Sequence, residues 1–340
     1  MMTKRHAPAL LGAVALVLAL ALPAVPATAA PMTYPCYQPN VAPVIDGQIS
    51  DDPAWSNMPV ATGFSKLGDG FTEAKQTSFQ ACWDDSALCL GVVCEEPDVA
   101  RMKLSIRDGG EGWLDDGIEV FIQPVVDRQV CQLIFTAGGA RCAGEGAPDF
   151  LKCQAAVARG QDFYALEASI PWEVIGATPA TGDQWRGDVC RNIFTTFSGG
   201  DQFTCWAPLL KRFLEPEHFA VIDFRGPAPS AEQSAAITEQ INAGYRAHLV
   251  GELRAVAAQA DEYLPTLEEA RRDPAFGRRA RELTNQWREL ERVQQDATGA
   301  PITDGTGAEV SLRGMLKGAG DLLKASYELK YAYLISKLFP

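Results

Sequence analysis

Thr77-Ser78-Phe79-Gln80-Ala81-Cys82-Trp83 and, beyond Asp84-Asp85, Leu88-Cys89-Leu90-Gly91-Val92-Val93-Cys94 are two short apolar runs parted by an acidic turn. Runs of this length, rich in β-branched and aromatic side chains and bounded by turn residues, read as strands. The pattern recurs at 118–123, 129–136, 163–170, 188–195 and 219–224, with Gly, Pro and Asp turns between. That spacing predicts a mainly β unit, an antiparallel β-sandwich of jelly-roll type. A parallel α/β sheet needs helical stretches of about 10–15 residues between its strands, and none intervenes. Only a short helical turn at 171–175 is expected, with Pro171 at its start.

A chain of 340 residues suffices for two folded units. Residues 31–227 read as the sandwich and 228–340 as a helical region, with Gly226-Pro227-Ala228-Pro229-Ser230 as the linker. Ser230 caps a segment reaching Tyr263, Asp273-Pro274 opens a second through Gln295, and a third spans 307–338. The third has a broad apolar face that includes Leu312, Met315, Leu316, Tyr327 and Leu334. An α-helical bundle or hairpin is the simplest arrangement. The alternative for an exposed apolar face is oligomerisation or a protein partner.

Residues 1–30 are set aside as a cleaved signal peptide. Lys4 and Arg5 precede an apolar run, and Ala27-Thr28-Ala29-Ala30 supplies small residues for cleavage. No later stretch approaches the roughly 18 apolar residues of a membrane span, so a secreted or periplasmic product without stable membrane insertion is expected. Its net charge of −13 argues against nucleic acid and anionic membranes as partners. All nine cysteines precede residue 206, and an oxidising compartment leads us to expect disulfides among them, with at least one thiol left over.

Catalytic motifs are scarce. Of the three histidines, His6 falls in the leader, His218 before a strand and His248 in a helix, so no His-metal cluster or Ser-His-Asp set is spaced to form. Glycoside hydrolysis needs only two carboxylates and stays open, although no enzyme is expected. In Glu111-Gly112-Trp113-Leu114-Asp115-Asp116-Gly117-Ile118-Glu119-Val120-Phe121-Ile122 a loop carrying Trp113 enters a strand, with Glu119 six residues on. An indole face stacks on a pyranose while a nearby carboxylate accepts its hydroxyls. Equally, Trp113 can be a core residue and Glu119 a solvated one.

Ile45-Asp46-Gly47 with Asp51-Asp52 and Trp55, then Trp83-Asp84-Asp85 and Leu88-Cys89-Leu90-Gly91-Val92, then Trp113 through Phe121, form an ordered set. It continues through Glu167-Ala168-Ser169-Ile170-Pro171-Trp172, Gly182-Asp183, Asp188-Val189-Cys190-Arg191-Asn192, Trp206-Ala207-Pro208 and Phe213-Leu214-Glu215-Pro216-Glu217-His218-Phe219. Together these blocks resemble the family 9 carbohydrate-binding module between residues 40 and 225; the helical region lies outside the resemblance. The resemblance implies a β-sandwich that binds an oligo- or polysaccharide end between two aromatic side chains. Trp113 falls on the first stacking position, Glu119 on the hydroxyl-binding carboxylate, and Phe213 on the second stacking position, where the family has Trp. Leu210 stands where the family has an amide and Ile134 near the place of an arginine, losses that weaken binding.

Structural calcium is a further implication, with Asp46, Asp51 and Asp52 or Glu95, Glu96 and Asp98 as hard oxygen donors. Arg191 and Asn192 complete the ligand-binding candidates. An arginine on a strand needs a carboxylate partner or an anionic ligand. Trp55, Trp83, Trp172, Trp185 and Trp206 read as packing residues. Two other readings stand beside the noncatalytic sugar binder. One is a haem-binding subunit of an exported redox system, with Met102, Lys103, Lys152 and His218 as axial donors; the other is a structural envelope protein without ligand.

Overall fold

The computed structural model describes residues 31–68, 75–125, 128–195, 202–296 and 312–338. The expected leader therefore lies outside the described residues, as do the loop before the last helix and positions 307–311. In chain order the strands are β1 (Thr33–Gln38), β2 (Ser65–Lys66), β3 (Thr77–Trp83), β4 (Ala87–Glu95), β5 (Gly117–Gln123), β6 (Cys131–Thr136), β7 (Arg141–Ala143), β8 (Gln154–Arg159), β9 (Phe163–Pro171), β10 (Gln184–Ile193), β11 (Gln202–Cys205) and β12 (Ala220–Pro227). One layer runs β7-β6-β5-β10-β12-β1 and the other β3-β4-β9-β8, with β11 and β2 continuing from β10. A one-turn helix, α1 (Trp172–Ile175), follows β9.

Strand β1 joins the two layers and departs from the antiparallel expectation. It runs parallel to β12 and, through Tyr37 opposite Cys82, parallel to β3. Its register shifts between Cys36 and Gln38, and such an irregularity re-aims a strand. The sandwich is therefore a nearly closed, mixed sheet, antiparallel at every other described pairing.

Alternation settles what faces the core. Ile118, Val120 and Ile122 of β5 point between the layers, where they meet Leu88, Leu90, Leu133, Phe135, Leu166 and Phe224. Trp83, Trp172, Trp185 and Trp206 are in the same core, and Trp55 covers the outer side of the second layer with Cys82 and Cys89. Buried indoles favour a partner for their N–H: Trp55 donates to Glu167 Oε1 at 2.6 Å, Trp83 to the Arg225 carbonyl at 2.8 Å and Trp172 to the Asp84 carbonyl at 2.9 Å, whereas Trp206 Nε1 meets no partner among the described groups.

The expected disulfides are corrected by the structure: all nine cysteines are buried and free. Cys82 faces Cys89 across β3 and β4, and Cys190 faces Cys205 across β10 and β11, as thiols. Burial pushes Cys131, Cys153 and Cys205 up to about 12, which keeps them protonated at neutral pH. Such thiols act as small apolar side chains.

Helices α2 (Ala231–Ile241), α3 (Ala243–Ala260), α4 (Leu264–Ala270), α5 (Gly277–Asp296) and α6 (Leu312–Leu338) follow. Ser230 and Gln233 form a capping box on α2. The single helix expected over 230–263 is broken at Asn242, whose side chain accepts from Thr62 N at 3.0 Å and donates to the Val60 carbonyl at 2.9 Å. The Asn242 backbone, at φ −92° and ψ 5°, leaves the helical region there. Close by, Gly63 (φ 85°) lies so near the Tyr245 ring that a Cβ would come within 2.7 Å. Arg313 on α6 pairs bidentately with Glu95 at the end of β4. Leu249, Leu253, Leu312 and Met315 form the helical core, whereas Tyr327, Ile335 and Leu338 of α6 face solvent. No described helix is long and apolar enough to cross a membrane.

Candidate functional site

The pleat sends Glu119 and Phe121 of β5 away from the sandwich core, onto the outer face of the first layer. Register then places their neighbours. Gln132 on β6 lies opposite Phe121, Cys190 on β10 opposite Glu119, and Phe203 on β11 opposite Asn192. The Glu119 carboxylate accepts from Asn192 Nδ2 at 2.8 Å and from Gln132 Nε2 at 2.8 Å, one amide on each oxygen. Burial holds its pKa above the usual carboxylate range, and these two amide bonds oppose the shift. The other end of Asn192, Oδ1, is buried and meets no partner among the described groups.

Trp113 sits on a 3-10 turn, Gly112–Leu114, that packs against β6 and β7. Gly112 is required there: a Cβ would meet Ile134 Cγ2 at 2.8 Å and Cys142 Cβ at 2.9 Å. Ile134, fully buried and opposite Glu119, is thus roofed by this turn. The two aspartates that follow are anchors. Asp115 accepts from Ser105 Oγ at 2.9 Å and Ile106 N at 2.7 Å, and Asp116 from Lys103 N at 2.7 Å and Phe194 N at 3.0 Å. Burial raises the Asp116 pKa against the pull of those N–H groups.

Phe213 comes from the loop after β11. Glu215 folds that loop back by accepting from Leu210 N at 2.7 Å and Lys211 N at 3.0 Å. Phenylalanine rings then run edge to face across the floor. Phe194 meets Phe203 at 6.5 Å between centroids, Phe203 meets Phe213 at 5.9 Å, and Phe213 meets Phe121 at 6.3 Å. The result is a cleft of ≈ 390 Å³ lined by Trp113, Glu119, Gln132, Asn192, Phe203 and Phe213, with Lys211 and Arg212 on its wall. That volume is at the small end of ligand pockets. Trp113 is 40% exposed, an indole with a face available to a ligand.

Of the sequence-derived candidates, Trp113, Glu119, Asn192 and Phe213 line this cleft. Arg191 does not, because successive strand residues point to opposite faces. It is fully buried on the core side, where it donates to the Glu95 carbonyl at 2.9 Å and pairs with Glu96 at 3.3 Å. Glu96 also accepts from Lys75 Nζ at 2.9 Å and Thr195 Oγ1 at 2.6 Å. Leu210 is 54% exposed and outside the lining. Gln132, Phe194, Phe203, Lys211 and Arg212 were missed, since only strand register and loop folding bring them to Glu119.

Three of the six proposed calcium donors are committed to other partners. Glu96 is saturated by Lys75, Arg191 and Thr195, Glu95 is held by Arg313, and Asp52 accepts from Val44 N and Ala54 N. Among the described residues no three acidic, His or Cys side chains group to hold a metal. Three of the four axial donors named for haem are engaged separately. Met102 is in the sandwich core, Lys152 pairs with Asp149 and Glu173, and Lys103 lies over the Phe194 ring.

Residues 45–193 match the family described as carbohydrate family 9 binding domain-like. The recognition drawn from the ordered motifs is thereby met over that segment. The matched segment carries Trp113, Glu119, Gln132 and Asn192, while Phe203 and the loop through Lys211, Arg212 and Phe213 lie beyond it. Solved structures similar to the chain include a carbohydrate binding module family 9 from Caldicellulosiruptor kristjanssonii in complex with cellotriose. It is 18% identical, has a TM-score of 0.44, and the match covers 58% of this chain and 96% of that one. A family 9 module from the same organism in complex with glucose is 18% identical with a TM-score of 0.45, over 57% of this chain and 97% of that one. No curated protein matches the chain at a significant level.

Proposed function

We propose that this chain is an exported, noncatalytic carbohydrate-binding protein that holds a saccharide end in the cleft between Trp113 and Phe213. The observation that carries this reading is the Glu119 carboxylate, fixed by Asn192 and Gln132 inside a ring of aromatic side chains. Pyranoses present apolar C–H faces and a rim of hydroxyls; stacking rings take the former and an oriented carboxylate the latter. The family 9 match supports the same assignment.

Glu119 is the only carboxylate among the described lining residues. Two-carboxylate hydrolysis needs a second within about 5–10 Å across the scissile bond, so the cleft is read as a binding site. Export rests on the leader-like residues 1–30.

A glycan array on the purified chain, followed by calorimetry, tests the reading. Binding to one saccharide class without release of reducing ends supports it. A flat array, or hydrolysis lost in Glu119→Gln, overturns it. The intact mass of protein from the cell envelope checks export, with an N-terminus near Pro31 expected and a retained leader contradicting it.

A further inference from the structure

We infer that the cleft is built for a saccharide whose terminal pyranose bears an anionic substituent, a carboxylate or a sulfate, and not for a neutral sugar. This rests on the sugar-binding reading above and names the ligand class within it. The observation is a reversal of charge sign: the protein as a whole carries −13, yet the described lining of this cleft holds two cations, Lys211 and Arg212, against one carboxylate, Glu119.

Lys211 and Arg212 are consecutive, exposed, and both line the cleft beside Phe213. Neither forms an ion pair with a carboxylate of a described residue. Their loop is not slack. Glu215, 6% exposed, clamps it from beneath through the Leu210 and Lys211 N–H groups, so its carboxylate is committed to backbone while the two cationic side chains stay outward. A third cation stands by the cleft from another element: Lys103 Nζ lies 4.7 Å from the centroid of Phe194, itself a lining residue. Asp116 fixes that pair by accepting from the backbone N–H of both Lys103 and Phe194.

Against Lys211 and Arg212 the described lining holds one carboxylate, Glu119, and both of its oxygens are already bound by amides, while Asp116 and Glu215 nearby are committed to backbone N–H groups. A neutral sugar gives lysine and arginine only weak hydroxyl contacts. Two cations without a carboxylate partner among the described residues, set beside a stacking floor, cost desolvation when a neutral ring covers them. A carboxylate or sulfate on the ring reverses the sign of that contribution, because charge-assisted bonds are about twice as strong as neutral ones and the guanidinium fork takes two oxygens at once. The cleft thus has two chemically distinct ends, an amide-held carboxylate for ring hydroxyls and a cationic edge for the acid group.

The test uses the full mature chain and matched trisaccharides: cellotriose, its C6-oxidised counterpart cellotriuronic acid, and 6-O-sulfated cellotriose, titrated by calorimetry at low and high NaCl. The expected result is a Kd for an acidic trisaccharide at least about tenfold below that of cellotriose, a preference that shrinks as salt rises. The double variant Lys211→Gln, Arg212→Gln should bring the acidic ligand's affinity to that of the neutral one, with unchanged tryptophan emission confirming the fold. Carboxylate and sulfate arms separate the two sources of the anion, and preference for either supports the inference. Equal affinity for neutral and acidic trisaccharides, or a preference that survives the double variant, overturns the inference and leaves the sugar-binding reading intact. Failure of all three, with a flat glycan array, removes that reading as well.

Discussion

Asn192 and Glu119 sit on neighbouring antiparallel strands, and the amide of one donates to the carboxylate of the other at 2.8 Å. With Gln132 on the far side, this contact turns a buried carboxylate into an oriented acceptor. Replacing either amide strands an oxygen, and an unsatisfied buried acceptor costs about 1–3 kcal/mol. Asn192→Leu and Gln132→Leu should each lower stability by about that amount in denaturant melts and weaken saccharide binding. Wild-type stability and affinity in both variants would contradict the role given to the pair.

Gly112 predicts a second outcome. Since any Cβ there collides with Ile134 and Cys142, Gly112→Val should lift the turn that carries Trp113. Saccharide affinity should fall, with a smaller loss of Tm than a substitution inside the sandwich such as Val120→Ala, where lost burial and the cavity left behind cost about 1–3 kcal/mol. Unchanged affinity in Gly112→Val would mean that the turn tolerates displacement.

Asp188, buried on β10 opposite Phe121, supplies a pH dependence. Burial raises its pKa to about 8, and the N–H groups of Ala207 and Val189 only partly offset this. The folded state therefore holds a proton that the unfolded state releases near pH ~4. Between those limits the native form binds more protons, so this group's contribution to stability is full below about pH 4 and is lost as pH rises towards about 8. Asp188→Asn, which keeps an acceptor for both N–H groups, should flatten the fall in unfolding free energy between about pH 5 and 8. An identical pH profile in wild type and variant would show that Asp188 titrates normally.

Thiol chemistry offers a direct check on the core. All nine cysteines are buried and free, so a thiol reagent should react slowly with native protein and titrate all nine groups once it is unfolded. Any shortfall in the unfolded chain would show that a facing pair, such as Cys82 and Cys89, is oxidised.

Much of the sandwich was legible in the sequence. The run at Thr77–Trp83 is β3 without adjustment, and β4, β5 and β9 differ from their expected bounds by no more than one residue at either end. Those strands carry dense apolar and β-branched side chains whose burial outweighs local alternatives. Strand β1 was missed because Pro35 interrupts its pattern and its place comes from parallel partners far along the chain. Strand β8, Gln154–Arg159, is alanine-rich and lies at a sheet edge, where propensity says little.

The cleft divides in the same way. Trp113, Glu119 and Phe213 were reached through family-like motifs, but Gln132 and Phe203 depend on register, which no single strand encodes. Arg191 and Asn192 were grouped as neighbours in sequence. Alternation along β10 separates them, one to the core with Glu96 and one to the cleft with Glu119.

The central claim is that Trp113 forms one wall of a sugar site, and titration of Trp113→Ala beside the wild type is its most direct measurement. With phenylalanine at position 213 and leucine at 210, wild-type Kd should lie nearer about 1 mM than about 1 μM, roughly −4 against −8 kcal/mol. Calorimetry or ligand-observed NMR should find that binding for the wild type and none for the variant at the same folded fraction. Saccharide binding retained in Trp113→Ala would contradict the account.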